Sequence, residues 1–403
     1  MSAVPSGSRN LALLLACQAV TTLGLMVMVP IMPLYVALLT DVDAIGAARW
    51  SSLALAAPAL SALCVAPYAG KWCDRFGYRR MLLVSLAVFI GSMLLMALSP
   101  SVYGFMLGRL LQGMSTLGVV LTAFIACASD DASRGRSLGL QGSAVAFGAF
   151  AGPVLGGIML DYWSLKPLLT VSALFTGVTG GLLWCYLSEP PKPAPDPDVP
   201  PFAGLRALLA HADLRKWMLA AVLIQAAAFA LVNVFVLYLA ARFPAADAIA
   251  SKAGFLHALS WFAAMVASPL WGHLNDCGEP RRYFTLAAIG CALSIGLLMV
   301  VDQIWLVALL RVIQGACYAA LAQSILLACS RQLPASAYGH MTGLSSSFMV
   351  VGQLLGPLLI MVLTPILDPV NLVWPVVALF LAAGLLVRNG QHATLVSSFQ
   401  KHN

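Results

Sequence analysis

The stretch Gly70-Lys71-Trp72-Cys73-Asp74-Arg75-Phe76-Gly77-Tyr78-Arg79-Arg80 separates two long apolar runs in a chain of which only 9% is charged. Four of its eleven residues are basic and one is acidic. Gly70 and Gly77 flank the Asp74-Arg75 pair, as a chain needs where it leaves one helix and enters the next within a few residues. The stretch therefore reads as a tight, charged loop. A second copy, Gly272-His273-Leu274-Asn275-Asp276-Cys277-Gly278-Glu279-Pro280-Arg281-Arg282, follows 202 residues later. Two such stretches at matching places point to an internal duplication.

The register continues beyond them. Arg109-Leu110-Leu111-Gln112-Gly113 recurs as Arg311-Val312-Ile313-Gln314-Gly315, again 202 residues on. Gly148-x3-Gly152-Pro153 recurs as Gly352-x3-Gly356-Pro357 after 204, and the segment from Pro30 to Tyr35 aligns loosely with that from Asn233 to Tyr238 after 203. The solvent of these repeats follows from composition. At 61% hydrophobic, with mean hydropathy +0.91, the chain exceeds the roughly 45–50% of aqueous domains, so lipid must cover most of it. The apolar runs are continuous and near the ~20 residues a spanning helix needs. Barrel strands would alternate instead. The expectation is an all-α membrane protein of twelve transmembrane helices in two pseudo-symmetric six-helix bundles.

Helices 1 to 6 are placed near 11–39 (bent by Pro30 and Pro33), 50–70, 81–98, 102–127, 137–160 and 166–187. Helices 7 to 12 are placed near 217–240, 252–273, 283–300, 304–328, 341–363 and 372–388. Residues 1–187 then form an N-terminal bundle and 217–388 a C-terminal one. The proline-rich segment opening 188–216 is a solvated linker, whose end from Phe202 to Lys216 is either an amphipathic surface helix or the approach to helix 7. Residues 389–403 are a polar tail. The first apolar run is too long for a signal-peptide core and is retained as helix 1.

Charge placement fixes the expected orientation. With successive loops on alternate sides, sixteen of the 22 Lys and Arg fall on one side and four on the other, while Arg109 and Arg311 lie inside apolar runs. The positive-inside rule makes the basic side cytoplasmic, with both termini there. The net charge of +7 thus reports topology rather than a nucleic-acid partner. None of the nine cysteines lies in an outward-facing loop, so no disulfide framework is expected, and no metal-ligand spacing appears. No Gly-x4-Gly-Lys-[Ser/Thr] phosphate loop is present, nor any catalytic triad. The chain reads as a transporter without cofactors rather than an enzyme.

With these motifs in place, the sequence resembles the major facilitator superfamily over essentially its whole length. Gly70 to Arg80 matches every fixed position of the family pattern G-x-x-x-D-R-x-G-x-[RK]-[RK]. Gly139-x8-Gly148-x3-Gly152-Pro153-x2-Gly156-Gly157 resembles the helix 5 signature of the family's twelve-helix drug:proton antiporters, and Arg109-Leu-Leu-Gln112-Gly113 resembles their helix 4 motif. The resemblance implies a monomeric exporter of the inner (plasma) membrane that works by alternating access, exchanging a small-molecule substrate for protons. It also implies a latch on the cytoplasmic side. Asp74 would face the start of helix 11, and Arg75 or Arg79 would pair acids at the end of helix 4, where Asp130 and Asp131 are available. Gly70, Gly77, Arg80 and Asp276 belong to the same device, weakened in the second half, where Asn275 and Cys277 replace the residues expected beside Asp276.

The helix 5 glycines make a side-chain-free stripe, read as a hinge or seal. Ordinary small-residue packing is the other reading. Arg109 and Arg311 are the sharpest features inside the apolar runs, because a charge there costs at least about 2.5–3.5 kcal/mol and faces a cavity or a partner. All 15 acids fall in loops or at helix ends. The usual acidic partner of the helix 4 arginine is therefore missing, which disfavours lipophilic cations and suits an anionic substrate such as a carboxylate siderophore. His257 is a candidate proton carrier or a packing histidine. Gln112, Gln314, Tyr35 and Asn233, with Gln18, Gln225 and Gln353, are candidate cavity groups. Multidrug or metabolite export, siderophore export and a non-transporting sensor or scaffold all remain open at this point.

Overall fold

The computed structural model describes residues 6–40, 42–128, 131–189, 211–244, 247–331 and 338–388. Helix 1 is divided into α1a (Ser6–Met26) and α1b (Met32–Leu39) around a short 3-10 turn at Val29–Ile31, where Pro30 and Pro33 remove backbone donors. Then come α2 (Ala44–Phe76), α3 (Tyr78–Leu98), α4a (Val102–Met114), α4b (Leu117–Ala128), α5 (Asp131–Tyr162) and α6 (Leu165–Tyr186). The second set is α7 (Ala212–Arg242), α8 (Ile249–Cys277), α9 (Pro280–Gly296), α10 (Ile304–Arg331), α11 (Tyr338–Leu363) and α12 (Val373–Arg388). Among the described residues ten helices are long and apolar enough to cross a membrane, and two shorter apolar ones cover Ser347–Leu363 and Val373–Arg388. Of the linker expected at 188–216, residues 190–210 lie outside the described residues, as does the tail from 389. Ala212–Lys216, the end of the stretch expected from Phe202 to Lys216, belong to α7.

Two expectations need correction. The opening stretch is not a loop, because α2 runs through Phe76 and Gly77 alone separates it from α3. Charged residues do not break a helix where it leaves the bilayer. The turn comes only where glycine supplies φ of +93°, a region closed to most side chains. Glu189, just past α6, then caps α3 by accepting from the backbone N–H groups of Tyr78 (2.6 Å) and Arg79 (3.1 Å). A Cβ at position 77 would lie 2.8 Å from that carboxylate. The second departure is in helix 4, expected to be continuous. It breaks at Ser115 and Thr116, where Thr116 has φ of +44°, a costly conformation for a β-branched residue.

Buried side chains gather into two cores, one drawn mainly from residues 14–187 and the other from 214–387. Each bundle repeats the same close contacts. A Cβ at Gly113 of α4a would overlap the Pro58 carbonyl on α2, and one at Gly315 of α10 would overlap the Ser260 carbonyl on α8. Likewise the stripe on α5 meets α1a. A Cβ at Gly148 or Gly152 would lie 2.7 or 2.8 Å from the backbone of Leu23, and one at Gly156 would overlap Val27. In the second half, Gly352 and Gly356 meet Val222 and Ala226 of α7 in the same way. Such approaches replace the hydrophobic drive that lipid cannot supply. Large apolar side chains are left exposed on α3 and α6 (Val84, Leu174, Val178) and on α9 and α12 (Leu286, Leu293, Leu385), as a lipid-facing belt requires.

These contacts predict that Gly113→Val and Gly315→Val each destabilise the bundle by about 2–3 kcal/mol through overpacking. Thermal unfolding in detergent should show a clear drop in Tm for both. Gly91→Ala, where a Cβ meets nothing within 4 Å, should leave Tm unchanged.

Candidate functional site

Arg109 projects from α4a and Arg311 from α10, and each is only 2% exposed. Their partners among the described residues are all neutral. Arg109 Nε donates to the Ala54 carbonyl at 2.9 Å and its Nη1 to the Gln112 side-chain oxygen, one turn on. No partner for its Nη2 is found among the described residues. Arg311 Nη1 donates to Gln314 Oε1 at 2.8 Å and Nη2 to Ser260 Oγ at 2.8 Å, with His257 Nδ1 3.3 Å from the same nitrogen. Its guanidinium carbon lies 4.6 Å from the Phe235 ring centroid, and its Nε is buried without a partner among the described residues. Carbonyl dipoles and a ring face relieve part of the desolvation of each cation. They do not neutralise it.

Each arginine lines a cavity between the bundles. The Arg109 cavity, about 310 Å³, is also lined by Gln18, Thr22, Gln112, Thr116, Phe229 and Gln353. The Arg311 cavity, about 200 Å³, is also lined by Gln225, His257, Trp261, Gln314, Phe229 and Gln353. They adjoin, since Met26, Val29, Phe229 and Gln353 border both. Among the described residues no Asp or Glu lines either one. The strained Thr116 sits on the Arg109 wall, and α4b begins just beyond it. A buried relay joins α1a, α4b and α5 beside that wall: Gln141 Nε2 donates to Gln18 Oε1 (3.0 Å) and Thr122 Oγ1 (2.8 Å), and Gln18 Nε2 to Thr22 Oγ1 (2.9 Å).

The sequence-derived candidates divide accordingly. Gln112, Gln314, Gln18, Gln225, Gln353 and His257 line the cavities with the two arginines. Tyr35 and Asn233 line neither. Tyr35 packs against Phe105, with ring centroids 5.4 Å apart. Asn233 is consumed in a buried clamp between the halves, accepting from Ser51 Oγ (2.7 Å) and donating to Ser52 Oγ (2.9 Å). Polarity inside an apolar run marked both residues, but helix phase turned them away from the cavities. Within the latch, Asp130 lies outside the described residues, as do the side chains of Asp74, Asp131 and Asp276 and the surroundings of Gly70 and Gly139. Arg75 lies over the adjacent Phe76 ring, 5.3 Å from its centroid. Arg79 donates to the Trp184 carbonyl on α6, and Arg80 is exposed.

The face distal to the chain's first helical residue, where α5 ends and α8 begins, is closed. Gly157 lies against Ala250 and Gly254 against the Pro153 carbonyl, so of the α5 glycines Gly157 is the one at the seam between halves. Ala248, at the start of α8, is left-handed (φ 54°) and gives no side-chain cap. Asp161 of α5 supplies the cap across the seam, accepting from the N–H groups of Ser251 (2.5 Å) and Ala250 (3.3 Å). This carboxylate at a helix N-terminus was missed in the sequence reading, where it counted only as a helix-end acid four residues after Gly157. Ser260 and Trp261 were missed because their role depends on α8 facing α10.

The Major Facilitator Superfamily model matches residues 14–246 and 243–389. The chain is 29% identical to the Staphyloferrin B transporter of Staphylococcus aureus (strain NCTC 8325 / PS 47), over 97% of this chain and 96% of that protein. It is 26% identical to the Multidrug resistance protein MdtG of Salmonella arizonae, over 82% of each. Its fold superposes on an auto inhibited POT family peptide transporter with a TM-score of 0.77 at 14% identity, covering 96% of this chain and 98% of that one.

Loss of the Asp161 cap should favour separation of α5 from α8. Asp161→Ala should cost up to about 1 kcal/mol of closure, a shift of roughly fivefold in population, read as a longer distance between spin labels at positions 163 and 248. Replacing Thr116 by Gly removes a left-handed penalty of about 1–2 kcal/mol, so the variant should unfold at a higher temperature than the parent.

Proposed function

The chain belongs to the major facilitator superfamily, and we propose that within it this protein exports a small multi-carboxylate anion of the siderophore type. The observation that carries the reading is the pair of buried arginines, one from each half, with neutral partners only and adjoining cavities between them. Two uncompensated guanidinium groups make a site that gains most from an anion and repels a lipophilic cation. The full-length similarity to a staphyloferrin B transporter agrees with that chemistry.

In this reading the distal closure by Asp161, Gly157 and the Asn233 clamp defines one end state of alternating access. The anion enters from the opposite face, draws the two arginines' charges together, and the halves rock to release it on the distal side. The sixteen basic residues on one side support cytoplasmic termini in an inner membrane. An ion gradient, protons by family resemblance, drives the cycle. A second reading, export of apolar drugs, is favoured by the apolar wall of Leu25, Met26, Val29 and Phe229 and by the similarity to MdtG proteins.

Arg109→Gln and Arg311→Gln should each lower export of a labelled tricarboxylate from loaded cells by at least tenfold, a loss of about 1.4 kcal/mol or more. Arg311→Lys should also fail, because an ammonium cannot make the forked contacts. Undiminished export by both Gln variants would sink the anionic reading. Loss of drug resistance alone would favour the second.

A further inference from the structure

We propose that His257 is a second donor to the substrate anion beside Arg311, so that the C-terminal half carries an Arg–His carboxylate clamp set by Trp261. This rests on the anionic reading above.

Trp261 lies one turn after His257 on α8, and its indole N–H is 3.2 Å from His257 Nε2. An indole nitrogen can only donate, and Trp261 has no other acceptor among the described residues, whereas Arg311 Nη2 already donates to Ser260 Oγ. The clamp therefore takes the tautomer in which Nε2 accepts and the neutral ring carries its one proton on Nδ1. That nitrogen faces Arg311 Nη2 at 3.3 Å, and a guanidinium has only N–H groups to offer. In that tautomer two donors confront each other on the wall of the cavity that both residues line.

Moving the proton to Nε2 would only transfer the conflict to the Trp261 indole, and no further acceptor is found among the described residues. The Gln314 and Ser260 side-chain oxygens already accept from Arg311, the Ser260 hydroxyl donates to the His257 carbonyl at 2.8 Å, and Arg311 Nε stays buried and unpaired. The cluster has donors in excess and is short of an acceptor. A carboxylate oxygen placed between Nδ1–H and Nη2–H satisfies both at once. A cationic or amine ligand would add one more donor. An imidazolium would be worse placed still, since its Nε2–H would point at the indole N–H. His257 is thus a neutral donor rather than the proton carrier that its position in an apolar run suggests.

The other half has no such clamp. Applying the 202-residue register, Leu55, Pro58 and Ala59 stand where His257, Ser260 and Trp261 stand, and all three line the Arg109 cavity. The site is therefore polarised. One carboxylate is held by Arg311 and His257 together, and a second meets Arg109 alone.

The test uses the full chain purified in detergent, with citrate as the probe and calorimetric binding as the readout. Asn at 257 keeps a donor at the Nδ1 position, whereas Gln keeps only a group near Nε2 and Phe keeps neither. His257→Asn should bind citrate within threefold of the parent, and His257→Gln and His257→Phe at least tenfold more weakly, with each variant's folding checked by its Tm. Nitrogen-15 spectra of histidine-labelled protein should place the ring proton on Nδ1 and move that resonance when citrate is added. Full binding by His257→Gln, or a proton on Nε2, overturns the clamp while the arginine pair stands if Arg311→Gln still abolishes binding. Failure of the parent protein to bind citrate removes the clamp and the anionic reading together.

Discussion

A guanidinium in a low-dielectric interior must be compensated, and this protein compensates two of them without a counter-charge. Arg109 and Arg311 are held by carbonyls, amides, a hydroxyl and one aromatic face. Removing such a charge from water costs several kcal/mol even after relaxation. Dipoles recover only part of that, and the rest falls to whatever occupies the cavity. The same constraint explains the surrounding architecture. Arg109 can reach the Ala54 carbonyl because Gly113 lets α4a lie directly on α2, and Arg311 can reach Ser260 because Gly315 does the same for α10 on α8.

Duplication produced this arrangement twice, and divergence made the copies unequal. In the first half the arginine helix breaks at Thr116, giving an irregular wall. In the second it stays whole through Arg331, and the polar work passes to α8. Broken backbone within a bundle is tolerated only where it borders a cavity or other protein, and Thr116 borders one. The seam is closed on the distal side by neutral hydrogen bonds at Asn233 and by one carboxylate on a helix end at Asp161. Contacts of this strength suit a gate that must open in every cycle, since each is worth about a kcal/mol.

Much of this was legible in the residues alone. The 202-residue register of the two Arg-x-x-Gln-Gly motifs located both arginines, both glutamines and the halves they serve. Small residues every fourth position on α5 announced close helix contact, though not its partner, because a stripe does not say which neighbour fills it. It packs chiefly on α1a, within its own half. Tyr35 and Asn233 show where the reading fails. A polar group in an apolar run is equally suited to a cavity or to a buried clamp, and only helix phase and tilt decide. The supposed loop at Gly70 failed for a related reason, since charge marks the membrane boundary but not the helix end. Trp261 carried no signal, because an indole at a lipid-protein interface looks the same in sequence as one that hydrogen-bonds a cavity histidine.

The most direct measurement is a structure of the protein with a tricarboxylate bound. One carboxylate should lie within hydrogen-bonding distance of Arg311 and His257 and another should face Arg109, with the ligand spanning the two cavities around Phe229 and Gln353. An anion bound away from both arginines, or density only for a lipophilic cation in those cavities, would contradict this placement.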